Sequence, residues 1–521
     1  MRKAVIALLA LVASVALITT AQAGKGKPAD ESPVDQPTAK ELSVALQETL
    51  KTNGIFRHLN ALQEIASDNG DTRTSGSKGF NKSAKYVAGQ LEDYGWDVET
   101  QKFDFDAFFE DAPSVFEQTA PTATTYVEDT DFSTMEFSGS GDVTQELVAV
   151  DLTIPPAAEP SSTSGCEPAD FTAAPVTGKI ALMQRGSCDF AVKVQNAADA
   201  GAVGSVIFNE GQEGRTDVVF GTLGGEAKIP AVDTSFAIGS DLANGVLNGP
   251  TGTTVHIKTT THVENLKTSN VVAETPGGSK KNVVMAGAHL DSVADGPGIN
   301  DNGTGSATLL ELARQISKLG VEPQNKIRFA WWGAEEQGLV GSTEYVSSLK
   351  KGKLAKIALY LNFDMIGSPN FARLIYDGDG SAFGTPGPKG SDKIERTFAK
   401  YFKRADLATE ETEFDGRSDY LAFTDAGIPA GGLFTGAEAV KTEEQKALYG
   451  GKAGVAFDAC YHLACDDIEN VSRKALKQMA PAVADAVARY SVSTDSLGGG
   501  KEEKTRAAAS ADEWLGSHLA R

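Results

Sequence analysis

The stretch KIRFAWWGAEEQGLVGS, Lys326–Ser342, is an apolar run that ends in two adjacent acids, Glu335 and Glu336. Neighbouring residues on a strand point to opposite faces, so two side-by-side carboxylates can serve one site only where the backbone is already turning. Two further runs share the pattern: NVVMAGAHLDS (Asn282–Ser292) and IALYLNFDMIG (Ile357–Gly367) are apolar until their last residues, where His289, Asp291 and Asp364 appear. In α/β sheets the carboxyl ends of parallel strands face the ligand crevice, so these ends are expected to converge. Between the first two runs, DGPGINDNGTGSATLLELARQISKLG (Asp295–Gly320) carries Asp301 in Gly-rich chain and then an amphipathic helix.

Working outward from these strands, Glu41–Gly70 has helical apolar spacing, and Asn81–Phe105 reads as a helix, a glycine turn and a strand. From about Ala120 the chain changes to short Thr/Val-rich stretches with many glycines and prolines, which read as β-structure. Inside it, Gly178–Asn209 reads as strand, Cys-bearing turn, helix and strand, and the helix-and-parallel-strand pattern resumes at Ser269. An insert of about 140 residues, 120–266, is therefore expected within a peptide chain whose first domain occupies 41–119 and 267–493; that size suits a small domain.

Residues 1–23 combine a basic start, an apolar run and small residues at Ala21 and Ala23, the pattern of a cleaved secretory signal peptide. A polar leader follows at 24–40, and residues 494–521 read as a flexible tail. No later run is apolar and long enough to span a bilayer, so an exported protein with no stable membrane anchor is expected. The net charge of −22 excludes the basic stripe that nucleic-acid binding needs.

The four cysteines, Cys166, Cys188, Cys460 and Cys465, suit an oxidising compartment. Three connectivities are open. Joining Cys166 to Cys188 and Cys460 to Cys465 closes the shortest loops, while a zinc-thiolate site lacks the Cys-x-x-Cys spacing it needs. Of only six histidines, two fall in the elements singled out above, His289 and, in CYHLACDD, His462 beside Tyr461. Imidazoles and carboxylates are the ligands zinc takes outside thiolate sites.

The motifs HLDS, GINDNGTG, GAEEQGLVGS, NFDMIGSPN, GRSDYLAF and CYHLACD together resemble the secreted di-zinc leucyl aminopeptidases and the vacuolar aminopeptidase Y type. The likeness runs from FRHLNALQEIA to about Ser491. It implies a three-layer α/β zinc-peptidase core of phosphorylase/hydrolase-like type, a mixed sheet flanked by helices, with an inserted β-rich protease-associated domain. The insert's most specific features are GKIALMQRGSCDF and the pairing of Cys166 with Cys188. The resemblance implies that Asp301 bridges two zinc ions, with His289 and Asp364 on one and Glu336 and His462 on the other.

On this reading the paired glutamates divide the work: Glu336 is a ligand and Glu335 the general base, since a ligating carboxylate is committed to charge while a base must exchange protons. Tyr461 is implied to hydrogen-bond the oxyanion, and Asp291 to take the other ring N–H of His289. The peptide after Asp301 is implied to be cis. Glu335, Asp364 and the main-chain carbonyl of Arg417 are implied to hold a substrate's free α-amine, with Met365 and Phe434 lining a pocket for large apolar N-terminal residues. The Arg417 side chain keeps a carboxypeptidase as the enzymatic alternative, and a metal-free binding protein or a single-zinc cyclase or amidohydrolase as further ones. Where some relatives read SDH this chain has SDY, at Tyr420. The resemblance also admits a structural calcium ion, though no loop demands one. A monomer acting on peptide or protein N-termini is the expected form.

Overall fold

The protein is described by a computed structural model covering residues 38–212 and 215–498. The leader expected at 1–23, most of the polar stretch after it and most of the tail lie outside the described residues.

Helices Ala39–Thr49 (α1), Thr52–Ser67 (α2) and Lys78–Asp93 (α3) precede the first long strand, Asp97–Ala120 (β1). Each start has a local cause. Thr38 and Glu41 form a reciprocal capping box on α1, and the Ser77 hydroxyl accepts the N–H of Phe80 on α3. The turn out of α3 uses Gly95 at φ +81°, a conformation that costs residues with a Cβ. After the insert come Gly249–Glu274 (β2), Ser279–His289 (β3), Gly303–Lys318 (α4), Asn325–Trp332 (β4), Ile357–Phe363 (β5) and Leu374–Tyr376 (β6). Ser391–Arg404 (α5), Glu410–Thr412 (β7), Ala430–Phe434 (β8) and Arg473–Val492 (α6) complete the core.

The core strands lie in the order β7-β6-β8-β5-β3-β4-β2, with β8, β5, β3 and β4 mutually parallel and β2 antiparallel to β4. Alternate residues face opposite layers. Ala286, Ala288, Phe329, Trp331, Leu359 and Leu361 join the core beneath the helices, whereas Met285, Ala330, Trp332 and Tyr360 join a second core on the other face. Both faces are buried, which is why these strands read as continuous apolar runs.

β1 and β2 pair antiparallel along most of their lengths, from Asp97–Glu274 to Ala120–Thr254. Phe103, Phe105 and Ala107 are buried while Asp104 and Asp106 are exposed, so the period-two pattern is present in the sequence. Beyond the core, β2 pairs with Gly141–Ala149, and the sheet continues through Ile180–Gln184, Gly204–Phe208 and Ala231–Thr234. Insert and core therefore share one sheet, and the limits expected at 120 and 266 fall on a continuous two-stranded ribbon. Helix Phe190–Asp199 packs in the insert's own apolar core, and a disulfide joins Cys166 to Cys188.

Candidate metal centre

The register of the parallel strands sets the site. Trp332 of β4 lies opposite His289 at the end of β3, and β5 ends one residue before Asp364. Beyond Trp332 the chain turns at once, with Ala334 in the left-handed region at φ +55°. That turn lets Glu335 and Glu336 approach one site together, an arrangement a continuing strand forbids. The Asp291 carboxylate steadies it by accepting the N–H groups of Glu335 and Glu336 at 3.3 and 3.4 Å. Met365 and His462 also lie at positive φ, +45° and +57°. Such conformations cost about 1–3 kcal/mol each and persist where surrounding structure holds them.

Asp301 stands immediately before α4, and its peptide bond to Asn302 is cis. The Asn302 side chain accepts the N–H of Gly305 at 2.9 Å, capping the helix. A Cβ on Gly305 would lie 2.1 Å from the carbonyl oxygen of Phe363, so glycine here lets the helix start directly against the end of β5.

The two oxygens of Asp301 face different histidines. Oδ1 is 3.1 Å from His289 Nε2, and Oδ2 is 3.4 Å from His462 Nε2. Asp364 Oδ1 lies 3.3 Å from the His289 nitrogen, and Glu336 Oε2 lies 3.1 Å from that of His462. Glu335 Oε2 is further out, 3.9 Å from His289 Nε2. His289, Asp301 and Glu336 form one group with ligand-competent spacing, and His289, Glu335 and Asp364 form another.

Burial alone would push His289 down, but Glu335 and Asp364 reverse this and hold it well above its usual value. His462 behaves likewise: burial opposes, and Glu336 and Asp301 raise it to about 10. Burial raises Glu336, whereas Asp301, despite its own burial, is lowered by the imidazoles on either side. The cluster thus draws positive charge into a buried space, which is what a divalent cation supplies when it displaces the imidazole protons. Nitrogen and carboxylate donors match zinc, and the buried Asp364 Oδ1 has no hydrogen-bond partner.

The other predicted residues fall around this cluster. Tyr461 stacks on the His462 ring, with centroids 3.8 Å apart, and burial keeps its phenol protonated. Arg417 is engaged: it donates to Glu438 at 2.7 Å and to the Tyr461 oxygen at 3.3 Å, so its charge already has a carboxylate partner. Met365 is buried and Phe434 half-buried, the latter against Ala372, Leu374, Tyr449 and Phe457. A second disulfide joins Cys460 to Cys465 around the Tyr461–His462 pair. The nearest acceptor to His289 Nδ1 is the main-chain oxygen of Asp291, at 3.2 Å, with the carboxylate at 3.7 Å. The Asp291 carboxylate thus stands beside His289 while also accepting the N–H groups of Glu335 and Glu336. A third acidic group, Asp377, Asp379 and Glu395, is occupied in folding its own loop: Asp377 accepts the N–H groups of Ser381, Ala382 and Phe383, and Glu395 that of Asp379.

Sequence reasoning missed Ser418, whose hydroxyl donates to Asp364 Oδ2 at 2.5 Å and accepts from Asn362 at 2.8 Å. It sits inside GRSDYLAF, directly after Arg417. Arg73 and Asp466, both buried beside the cluster, were missed too.

The model for "Peptidase family M28" matches residues 270–487, and that for "PA domain" matches residues 143–242. An aminopeptidase of Pseudomonas aeruginosa is 45% identical over 474 residues, 90% of this chain and 86% of its own. A probable leucine aminopeptidase 2 of Aspergillus fumigatus is 47% identical over 372 residues, 70% of each chain. Among solved structures, the aminopeptidase from Aneurinibacillus sp. strain AM-1 superposes with a TM-score of 0.66 at 27% identity, covering 86% of this chain and 94% of that one. With that fold, that extent of identity and a buried His/Asp/Glu cluster at the strand ends, the chain belongs to peptidase family M28 and carries a PA domain within it.

Proposed function

We propose that the protein is a secreted zinc aminopeptidase that hydrolyses the first peptide bond of peptides and proteins, preferring large apolar, leucine-like N-terminal residues. The carrying observation is Asp301, whose oxygens lie 3.1 Å from His289 and 3.4 Å from His462, the arrangement of one carboxylate shared by two sites. His289 and Asp364 would hold one zinc ion, Glu336 and His462 the other, and Asp301 both. Bound zinc polarises the peptide carbonyl and acidifies water.

The chain's own groups do the rest. Glu335, beside the cluster and farther from the histidine than the ligands, takes a proton from the attacking water and delivers it to the leaving amine. Tyr461 donates its phenolic proton to the developing oxyanion, and Arg417 orients that phenol by donating to its oxygen. Glu335, Asp364 and the Arg417 carbonyl bind the substrate's α-ammonium. The Arg417–Glu438 pair disfavours a carboxypeptidase, which needs an unmatched cation for the terminal carboxylate. Met365 and Phe434 flank the first side-chain pocket. Export is supported by the leader sequence and two disulfides; among the described residues no helix is long and apolar enough to cross a membrane. We read 41–119 and 267–493 as the peptidase domain and 120–266 as the insert.

Mass spectrometry of matched free and N-acetylated peptides, incubated with and without a chelator, tests the activity. Trimming from free N-termini only, abolished by chelation, is expected. Trimming from C-termini, or none under any metal supplement, overturns the reading in favour of a carboxypeptidase or a binding protein.

A further inference from the structure

We infer that Arg73 and Asp466 are a matched pair of positioning residues that fix the shared carboxylate of Asp301, an inference that rests on the two-metal reading above. The segment Pro297–Asp301 belongs to no helix or strand, yet it is buried throughout. Its main-chain polar groups must therefore find partners within the protein. They find two side chains of opposite charge. Arg73 Nε donates to the Pro297 carbonyl at 2.7 Å and Nη2 to that of Gly298 at 2.5 Å. On the amide side, Asp466 accepts from Asn300 N–H through Oδ1 and from Asp301 N–H through Oδ2, each at 2.9 Å. Its main-chain oxygen accepts from Ile299 N–H, also at 2.9 Å.

The grip reaches the other ligands as well. Arg73 Nη1 donates to the carbonyl of Leu290, so one planar guanidinium ties the residue after His289 to the residues before Asp301. Asp466 directly follows Cys465, whose disulfide with Cys460 encloses His462, so the loop carrying that histidine is tied to the same segment. Gly298, at φ +59°, completes the fit: a Cβ there would lie 2.3 Å from the Asp301 carbonyl oxygen. Both clamps are almost wholly excluded from solvent, Arg73 at 0% and Asp466 at 2% exposure. Neither touches the ligand oxygens of Asp301. They act through its backbone, and three of the five ligand-bearing segments, those of His289, Asp301 and His462, are spaced by them.

The test measures metal binding by the chelator-stripped protein, as stoichiometry and affinity for zinc and as the visible absorption of the cobalt(II)-loaded form, which reports coordination geometry. Asp466→Asn preserves size but sets an amide N–H₂ against a main-chain N–H. Arg73→Lys preserves charge but lacks the planar fork. Each is expected to weaken binding by about 10–100-fold, the usual effect of removing a partner behind a metal ligand, and to alter the cobalt spectrum. Ser43→Ala is the control for lost stability: it removes a buried hydroxyl that donates to Asp485 at 2.5 Å, between α1 and α6. It is expected to lower the melting temperature with wild-type affinity and spectrum. Wild-type affinity and spectrum in Asp466→Asn and Arg73→Lys overturn the inference, as do changes no larger than those in Ser43→Ala at equal loss of stability. If Asp466→Asn does not fold, Arg73→Lys decides by the same readouts. A wild-type protein that takes up fewer than two ions refutes the shared-carboxylate reading itself, a result distinct from equal binding by wild type and variants.

Discussion

Glu335→Gln and Glu336→Gln, made separately, test the proposed division of labour between adjacent carboxylates. The structure sets their distances apart: Glu336 Oε2 is 3.1 Å from His462 Nε2, within the 3.1–3.4 Å range of the four carboxylate–imidazole distances among the proposed ligands, whereas Glu335 Oε2 is 3.9 Å from His289 Nε2. Both N–H groups rest on Asp291, so an isosteric amide leaves the turn in place in either variant. Glu335→Gln removes a proton acceptor, worth about 10²–10⁴ in rate or about 3–5 kcal/mol of barrier. Turnover should fall by that factor while zinc content per chain stays near wild type, and KM should rise through the lost contact with the substrate's ammonium. Glu336→Gln removes a donor and should weaken zinc binding by more than the roughly 10–100-fold typical of a partner behind the ligands, with part of the activity recovered at high zinc. The assay is leucyl-substrate hydrolysis across a zinc titration, with metal content measured on the same samples. Parallel loss of metal and turnover in both variants, or zinc loss in Glu335→Gln alone, would refute the assignment.

Tyr461→Phe should lower kcat by about 10²–10³ with KM and zinc content unchanged, the signature of a lost oxyanion donor in steady-state kinetics. Asp233 in the insert is raised to about 6 by burial, against an ordinary 3.8, while Gly221 N–H and the Ser133 hydroxyl donate to it. A raised carboxyl stabilises the fold below pH 4 and loses that contribution as pH rises through 6, about 3 kcal/mol in all, so Asp233→Asn should flatten denaturant stability between those limits. Replacing Cys166 and Cys188 by serine opens a loop spanning 22 residues and should cost about 3 kcal/mol in thermal unfolding; the shorter Cys460–Cys465 loop, spanning 5, should cost about 2 kcal/mol and show chiefly as reduced zinc occupancy. Tyr420→Phe leaves the buried N–H of Gly416 without its acceptor, a penalty of about 1–3 kcal/mol, and should raise KM for peptides without loss of zinc.

The strand ends were legible because parallel strands buried on both faces read as unbroken apolar runs, and polar residues at their close stand out. His289, Asp364 and the glutamate pair were found that way. The turn that brings the glutamates together was not legible, since nothing in the sequence marks Ala334 for a left-handed backbone. Of the β1–β2 ribbon the sequence shows a strand only as far as Phe105; its continuation to Ala120 depends on pairing with residues more than a hundred positions away. Arg73 stands in DTRTSGSKG, polar company in which an arginine reads as solvated. Its burial follows from three carbonyls converging on it, a tertiary fact without local signature.

Tyr420 shows how a departure from the pattern of relatives can be read from contacts. Its hydroxyl donates to Asp415 and accepts the N–H of Gly416, both at 2.7 Å, while its ring packs edge-on against Tyr376 and Phe414. Asp415 also accepts the N–H of Arg417 at 3.0 Å, so the tyrosine closes a turn whose next residue, Ser418, donates to Asp364. Burial holds the phenol well above its usual value, which keeps it a donor at neutral pH. The tyrosine therefore bears on the proposed ligands only through the turn, at the position where Asp364 and the Arg417 carbonyl are proposed to meet the substrate's amine. A change of residue there acts on substrate fit before it acts on metal, because the turn supports one oxygen of Asp364 while the other, Oδ1, faces His289.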